Sequence, residues 1–279
     1  MRRIVCVLLV TVLTVVYALP AFGWGQEGHR IIAKIAYDNM TCRARKQVDR
    51  ILGQEARGER RVVKESMIYW ANWPDEIKSD TIYPQSIRDG WHFQDFDAGM
   101  SDSLVADALI HYPKEGGNLY RALDSLVREF KDSKIQKFKK EHTLRFLVHL
   151  SGDRYCPMHM AHMDDKGGNT VKMAWFSKNT NTNLHAVWDT KLIESQGYSY
   201  SEYAQKLERE YAHKKKAVWN ASDAELLVHS YHVTSEIYRY QETWDGNTYH
   251  YIYRWRQPME EQLYIAGIRL AKLLNELCK

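Results

Sequence analysis

Residues 149–189 read HLSGDRYCPMHMAHMDDKGGNTVKMAWFSKNTNTNLHAVWD. His149 and Asp153 are four residues apart, and His185 and Asp189 repeat that spacing. Four residues is about one helical turn, so each pair projects an imidazole and a carboxylate from one helix face. Random pairing of 12 His with 17 Asp over 279 residues predicts fewer than one such pair, and the chain has two. Taken singly, such a pair is more often a solvated contact that contributes a few tenths of a kcal/mol. His159 lies between the pairs, so five nitrogen and oxygen donors fall in one short stretch. That density makes it a candidate metal site which the rest of the chain would complete.

Both pairs require helices, and helical periodicity extends outward from them. The helix carrying His149 starts basic (Lys134, Lys137, Lys139, Lys140) and turns apolar (Leu144, Phe146, Leu147, Val148), which puts His149 at its buried end. Upstream, the pattern is helical at about 118–131, from the N-cap residue Thr41 to Gly53, and around Ile31, Ile32, Ile35 and Ala36. A further helical pattern from Arg61 to Trp70 meets Trp73-Pro74-Asp75-Glu76, where Pro74 marks a kink or a new helix start. Downstream helices are expected at about 184–195, 201–215, 222–240 and 258–277. Trp91 to Phe96 reads as a short extended segment, and Val171 to Phe176 as a hairpin strand. The expected fold class is all-α: one compact multi-helix domain over residues 24–279, with a small β-hairpin.

Residues 1–23 read as an export signal, with Arg2 and Arg3 before an apolar run and Ala21-Phe22-Gly23 as a small-x-small cleavage site. The expected destination is the periplasm or the exterior, with no lasting membrane association, and the expected state is a monomer. Loss of Arg2 and Arg3 leaves 37 basic against 35 acidic residues, a net charge of +2. That is not the basic excess of a protein that grips duplex nucleic acid by charge alone. A polyanionic substrate would therefore need bound cations. Cys42, Cys156 and Cys278 remain, too few for a disulfide scaffold. Cys156 lies between Asp153 and His159 and reads as a buried thiol rather than a ligand.

Further candidate ligands stand outside the opening stretch: His29 at the start of the first helix, Asp75 after a proline, and His92 in an aromatic segment. Imidazoles combined with carboxylates suit zinc. Signal cleavage would also free the α-amine of Trp24. With the Trp24 carbonyl, that amine can chelate a metal in a five-membered ring, and it titrates near pH 8, about where a metal can displace its proton.

These residues sit in seven ordered motifs: Trp-Gly-x-x-Gly-His (Trp24 to His29), Trp-x-Asp-Glu (Trp73 to Glu76), His-Phe-x-Asp (His92 to Asp95), Arg-Phe-Leu-Val-His-x-x-x-Asp (Arg145 to Asp153), Pro-x-His (Pro157 to His159), Gly-Gly-Asn (Gly167 to Asn169) and Asn-Leu-His-x-x-Trp-Asp (Asn183 to Asp189). As a set they resemble the zinc-dependent single-strand nuclease family of the S1/P1 type, related in fold to zinc-dependent phospholipase C. The resemblance implies three Zn2+. Asp75, His92, His149 and Asp153 would hold the first, and His159, His185 and Asp189 the second. Trp24 and His29 would hold the third, with Asp153 bridging the first and third. It also implies hydrolysis of single-stranded RNA and DNA to 5′-phosphate products and removal of 3′-phosphates from mononucleotides. Asp95 would orient the attacking water or a substrate group, and Phe93 would stack on a base. Lys78, where the family often has Arg, would contact phosphate, and Asn169 would line the base site. The loop between His159 and Gly167 is one residue longer than in some relatives. Rival readings are a phospholipase C-like phosphodiesterase and a non-catalytic zinc-binding protein.

Overall fold

The computed structural model of the chain describes residues 24–53 and 64–279. The expected export signal at 1–23 and the start of the helix expected from Arg61 lie outside the described residues. The fold is all-α with one two-stranded hairpin, as expected. Helix α1 (Gln26–Asn39) is followed by α2 (Cys42–Leu52), α3 (Ser66–Trp70), α4 (Trp73–Glu76), α5 (Pro84–Arg88) and α6 (Asp102–Asp107). Next come α7 (Leu119–Lys131) and α8 (Lys137–Asp153). Strands β1 (Lys172–Met173) and β2 (Thr182–Asn183) pair antiparallel, Lys172 opposite Asn183. The chain closes with α9 (Leu184–Ala186), α10 (Leu192–Glu194), α11 (Tyr200–Glu210), α12 (Lys215–Asn220), α13 (Asp223–Gln241) and α14 (Thr248–Leu277).

Local chemistry accounts for several helix starts. Thr41 accepts from the Ala44 amide, and Ser199 and Ser222 form capping boxes with Glu202 and Glu225. Two expectations need correction. The last helix starts at Thr248, ten residues before the expected start at 258, and runs through Pro258. An internal proline forfeits a backbone hydrogen bond and costs about 3 kcal/mol. Burial offsets that here: Tyr251, Trp255, Met259, Leu263 and Leu270 all sink into the core, and α14 makes its most extensive packing against α1. The helix expected at 184–195 is also not regular. Between α9 and α10, Val187–Lys191 forms a π turn. Within residues 79–116, α5 and α6 are helical, and the segment Trp91 to Phe96, expected to be extended, contributes isolated bridges at Gln94 and Phe96.

A continuous hydrophobic cluster runs from Trp24 to Cys278 and surrounds α8. Two glycines let neighbouring elements pack closely where the candidate ligands gather. A Cβ on Gly25 would lie 2.4 Å from Thr190 Oγ1, in the π turn, and the Gly25 amide donates to the Asp189 carbonyl at 2.6 Å. A Cβ on Gly152 would lie 3.1 Å from His29 Nδ1. A side chain there would crowd His29 away from α8.

Candidate metal centre

Four elements that are distant in sequence deliver the donors. Helix α1 supplies His29, α4 supplies Asp75, the segment after α5 supplies His92, and the last turn of α8 supplies His149 and Asp153. All but Asp75 are essentially buried. His149 Nε2 lies 3.2 Å from Asp75 Oδ1 and 3.2 Å from Asp153 Oδ2. His92 Nδ1 lies 3.2 Å from Asp153 Oδ2, 3.2 Å from His149 Nε2 and 3.6 Å from Asp75 Oδ1. A tetrahedral zinc with bonds of about 2.0–2.1 Å has ligand–ligand edges of about 3.3 Å. Five edges of this four-atom cage therefore match a single small cation.

Asp153 faces two ways. Its Oδ2 belongs to that cage, while Oδ1 lies 3.2 Å from His29 Nε2 and 3.7 Å from His159 Nδ1. The His29 and His149 rings stack at 3.8 Å, which keeps the neighbouring donor sets adjacent. Trp24 is fully buried, and its indole Nε1 donates to the Gly152 carbonyl at 3.1 Å. The start of the described chain is thereby tied to the end of α8.

His185 and Asp189 meet as their spacing predicts, with Nε2 and Oδ2 3.0 Å apart. The His159 ring centroid is 5.3 Å from that of His185. Cys156 Sγ donates to Asp189 Oδ1 at 3.4 Å.

Backbone carbonyls orient three of the imidazoles. His149 Nδ1 donates to Ala71, His159 Nδ1 to His92 and His185 Nδ1 to Gly167. Such bonds fix the tautomer, so the opposite ring nitrogen keeps its lone pair for a ligand. On the ligand side, His29 Nε2, Asp153 Oδ1, His185 Nε2 and Asp189 Oδ2 are buried without a hydrogen bond. Buried polar atoms are normally satisfied, so their convergence fits the donor set of a metal. The electrostatics agree. Burial pushes the His149 pKa down, but the Asp75 and Asp153 carboxylates overcome it and raise it to about 10. The cage thus favours positive charge at its centre.

A cleft of about 640 Å³ opens beside these groups, lined by His92, Phe93, Asp95, His159, Asn169 and His185 among others. Phe93 is 37% exposed. Asn169 donates to the Lys166 carbonyl at 2.8 Å. Asp95 Oδ1 is buried without a hydrogen bond, and burial pushes the carboxyl pKa up to about 8. Lys78 differs from the other expected site residues. Its Nζ turns inward to Asp75 Oδ1 at 2.5 Å, and it is not among the described residues that line the cleft. Glu115, Met163 and Lys166 also line the cleft, and sequence reasoning missed them. They sit in irregular loops, where only the Gly116-Gly117 and Gly167-Gly168 pairs signal a turn.

The sequence profile of the S1/P1 Nuclease family matches residues 24–279. The chain is 28% identical over 200 residues to Endonuclease 2 of Arabidopsis thaliana, an alignment covering 68% of this chain and 63% of that protein. It is 29% identical over 281 residues to Endonuclease 3 of the same plant, covering 92% and 90%. Nuclease S1 of Aspergillus oryzae is 26% identical over 194 residues, covering 67% and 61%. The chain thus spans less than two thirds of Endonuclease 2 and Nuclease S1, and nine tenths of Endonuclease 3.

Proposed function

Because the chain belongs to the S1/P1 nuclease family, we propose that it is a zinc-dependent endonuclease acting on single-stranded RNA and DNA. The observation that carries this reading is the cage: four buried N and O donors with edges of 3.2–3.6 Å, at the side of a cleft. Nitrogen and carboxylate donors suit zinc. Asp75, His92, His149 and Asp153 would hold the first ion, and His159, His185 and Asp189 the second. The third would take His29, the Trp24 amine and carbonyl, and Asp153 Oδ1. The two-sided contacts of Asp153 support a bridging role.

When bound, zinc would make water nucleophilic near neutral pH and supply the positive charge that phosphates require. The chain's own residues do the rest. Asp95 points a buried carboxyl into the cleft, where it can orient water or a substrate hydroxyl. Phe93 offers an exposed ring on which an unpaired base can stack, a contact worth about 1–3 kcal/mol and tolerant of sequence. That need for an unstacked base underlies the single-strand preference. Asn169 lines the base side of the cleft. Lys78 holds Asp75 in place and adds positive charge close to the phosphate. The products would be 5′-phosphates, and 3′-mononucleotides would lose their phosphate at the same ions. The enzyme would be exported, to the periplasm or outside the cell, and no helix among the described residues is long and apolar enough to cross a membrane.

The test joins a metal count on protein starting at Trp24 to assays on single-stranded RNA, single-stranded DNA and lecithin. About three zinc ions and nucleolysis are expected. Fewer than two ions, or cleavage of lecithin alone, would overturn the reading. In the same experiment, one extra residue before Trp24 should weaken one ion and depress the rate. Equal metal content and rate in both forms would remove Trp24 from the ligand set.

A further inference from the structure

Cys156 is fully buried between two of the residues assigned to metal. Its amide donates to the Asp153 carbonyl at 3.0 Å, and its carbonyl accepts from the His159 amide at 2.9 Å. One tight turn therefore places Asp153, Cys156 and His159 together. The thiol reaches across to the π turn, where Sγ donates to Asp189 Oδ1 at 3.4 Å. The other carboxylate oxygen, Oδ2, lies 3.0 Å from His185 Nε2, and both of these buried atoms lack a hydrogen bond. The two oxygens of Asp189 are thus divided between sulfur and the ligand side.

We propose that Cys156 is a positioning residue: its S–H holds Asp189 Oδ1, so that Oδ2 alone is presented to the cation shared with His159 and His185. The inference rests on the zinc reading and adds a residue to it. Two alternatives make opposite demands. A thiolate bound to the metal would add a fourth protein donor, which closes a tetrahedral site, whereas catalytic zinc keeps three and one open position. A thiol that only fills space would need no donor hydrogen, and its loss would not touch the metal. A weak S–H donor acting through a ligand belongs to the outer layer of contacts, whose loss costs roughly 10–100-fold in metal affinity.

The experiment loads the protein starting at Trp24 with Co2+ and records its absorption, then repeats this with Cys156→Ser and Cys156→Ala under chelator competition. The unsubstituted protein should show cobalt d–d bands without a sulfur-to-cobalt charge-transfer band. Cys156→Ala should release one ion at roughly 10–100-fold lower chelator concentration. Cys156→Ser, which keeps a donor hydrogen, should stay close to the unsubstituted protein. A charge-transfer band would overturn the proposal by making sulfur a ligand, and it is read without any substitution. Equal retention in Cys156→Ala, or a Ser variant as impaired as the Ala variant, would reduce Cys156 to packing. Cobalt bound with an unchanged Ala variant sinks this inference alone, whereas no cobalt binding at all sinks the metal reading and this inference with it.

Discussion

Asp153 and Arg154 are neighbours in the chain but enter two charge clusters of opposite design, one buried and one partly exposed. Arg154 Nη1 donates to Asp223 Oδ2 at 3.1 Å, and Arg269 Nη2 donates to Asp223 Oδ1. Arg269 Nη1 also bonds the Ala221 carbonyl at 2.8 Å and those of Val218 and Trp219 at 3.3 Å, which covers the end of α12. Asp223 in turn sits in the first turn of α13, where a helix favours negative charge. Burial pushes its carboxyl pKa up, but Arg154 and Arg269 outweigh it and hold it below the usual range. Apart from Arg154 Nε, the charges of this knot are answered by protein atoms. Around Asp153 the protein supplies carboxylates and oriented imidazoles and leaves His29 Nε2 and Asp153 Oδ1 buried without hydrogen bonds. Burying an unanswered polar group costs free energy. A cluster closed by protein is a fastening between helices, and a cluster left open implies a ligand.

Substitutions can break this contrast. The largest effect is expected from Asp153→Ala, which deletes a carboxylate shared by two donor sets. Metal analysis should show two ions lost or weakened, and activity should fall by more than the roughly 10–100-fold cost of losing an outer-layer contact. Full metal content in this variant would make the cluster a structural knot like its neighbour. Next in size, Arg269→Ala should lower the free energy of unfolding by about 1–3 kcal/mol, read from urea denaturation, because Asp223 and three carbonyls lose a charged donor. Its metal content should not change; a parallel loss of metal would mean that the two clusters are one unit.

The smallest effect sharpens the comparison through pH. In metal-free protein the Asp95 carboxyl, raised to about 8 by burial, binds more protons folded than unfolded between about pH 4 and pH 8. Its contribution therefore makes stability fall as pH rises through that window, by about 1.4 kcal/mol per unit. Asp95→Asn should remove that slope, measured as the difference in unfolding free energy between pH 6 and pH 7 for the two proteins. An identical slope in both would show that Asp95 titrates in the ordinary carboxylate range.

The two His-x-x-x-Asp pairs were legible because four residues along a helix bring side chains together without help from the rest of the chain. His149 with Asp153 and His185 with Asp189 form as that rule requires. The helix starts at Thr41 and Ser222 follow from local hydrogen bonding for the same reason. The start of the last helix at Thr248 was not legible, because the helix runs through Pro258, whose local cost only the burial of the surrounding α14 face offsets. The π turn at Asp189 was hidden too, since its carbonyl is claimed by Gly25, a residue far away in sequence.

By itself the sequence determined the helical class, the donor types and the pairing of donors within one turn, because propensity, capping and four-residue spacing are short-range. Only the tertiary structure decided which donors share a cage. The 3.2 Å contacts of Asp153 with His29 and His92 depend on α1 lying against α8 and on the loop after α5 folding over both. The carbonyls of Ala71, His92 and Gly167 that aim the imidazoles exist in every residue, so no side chain announces them. The Cys156–Asp189 contact is of the same kind. Such distances are set by core packing across the chain, which periodicity does not encode.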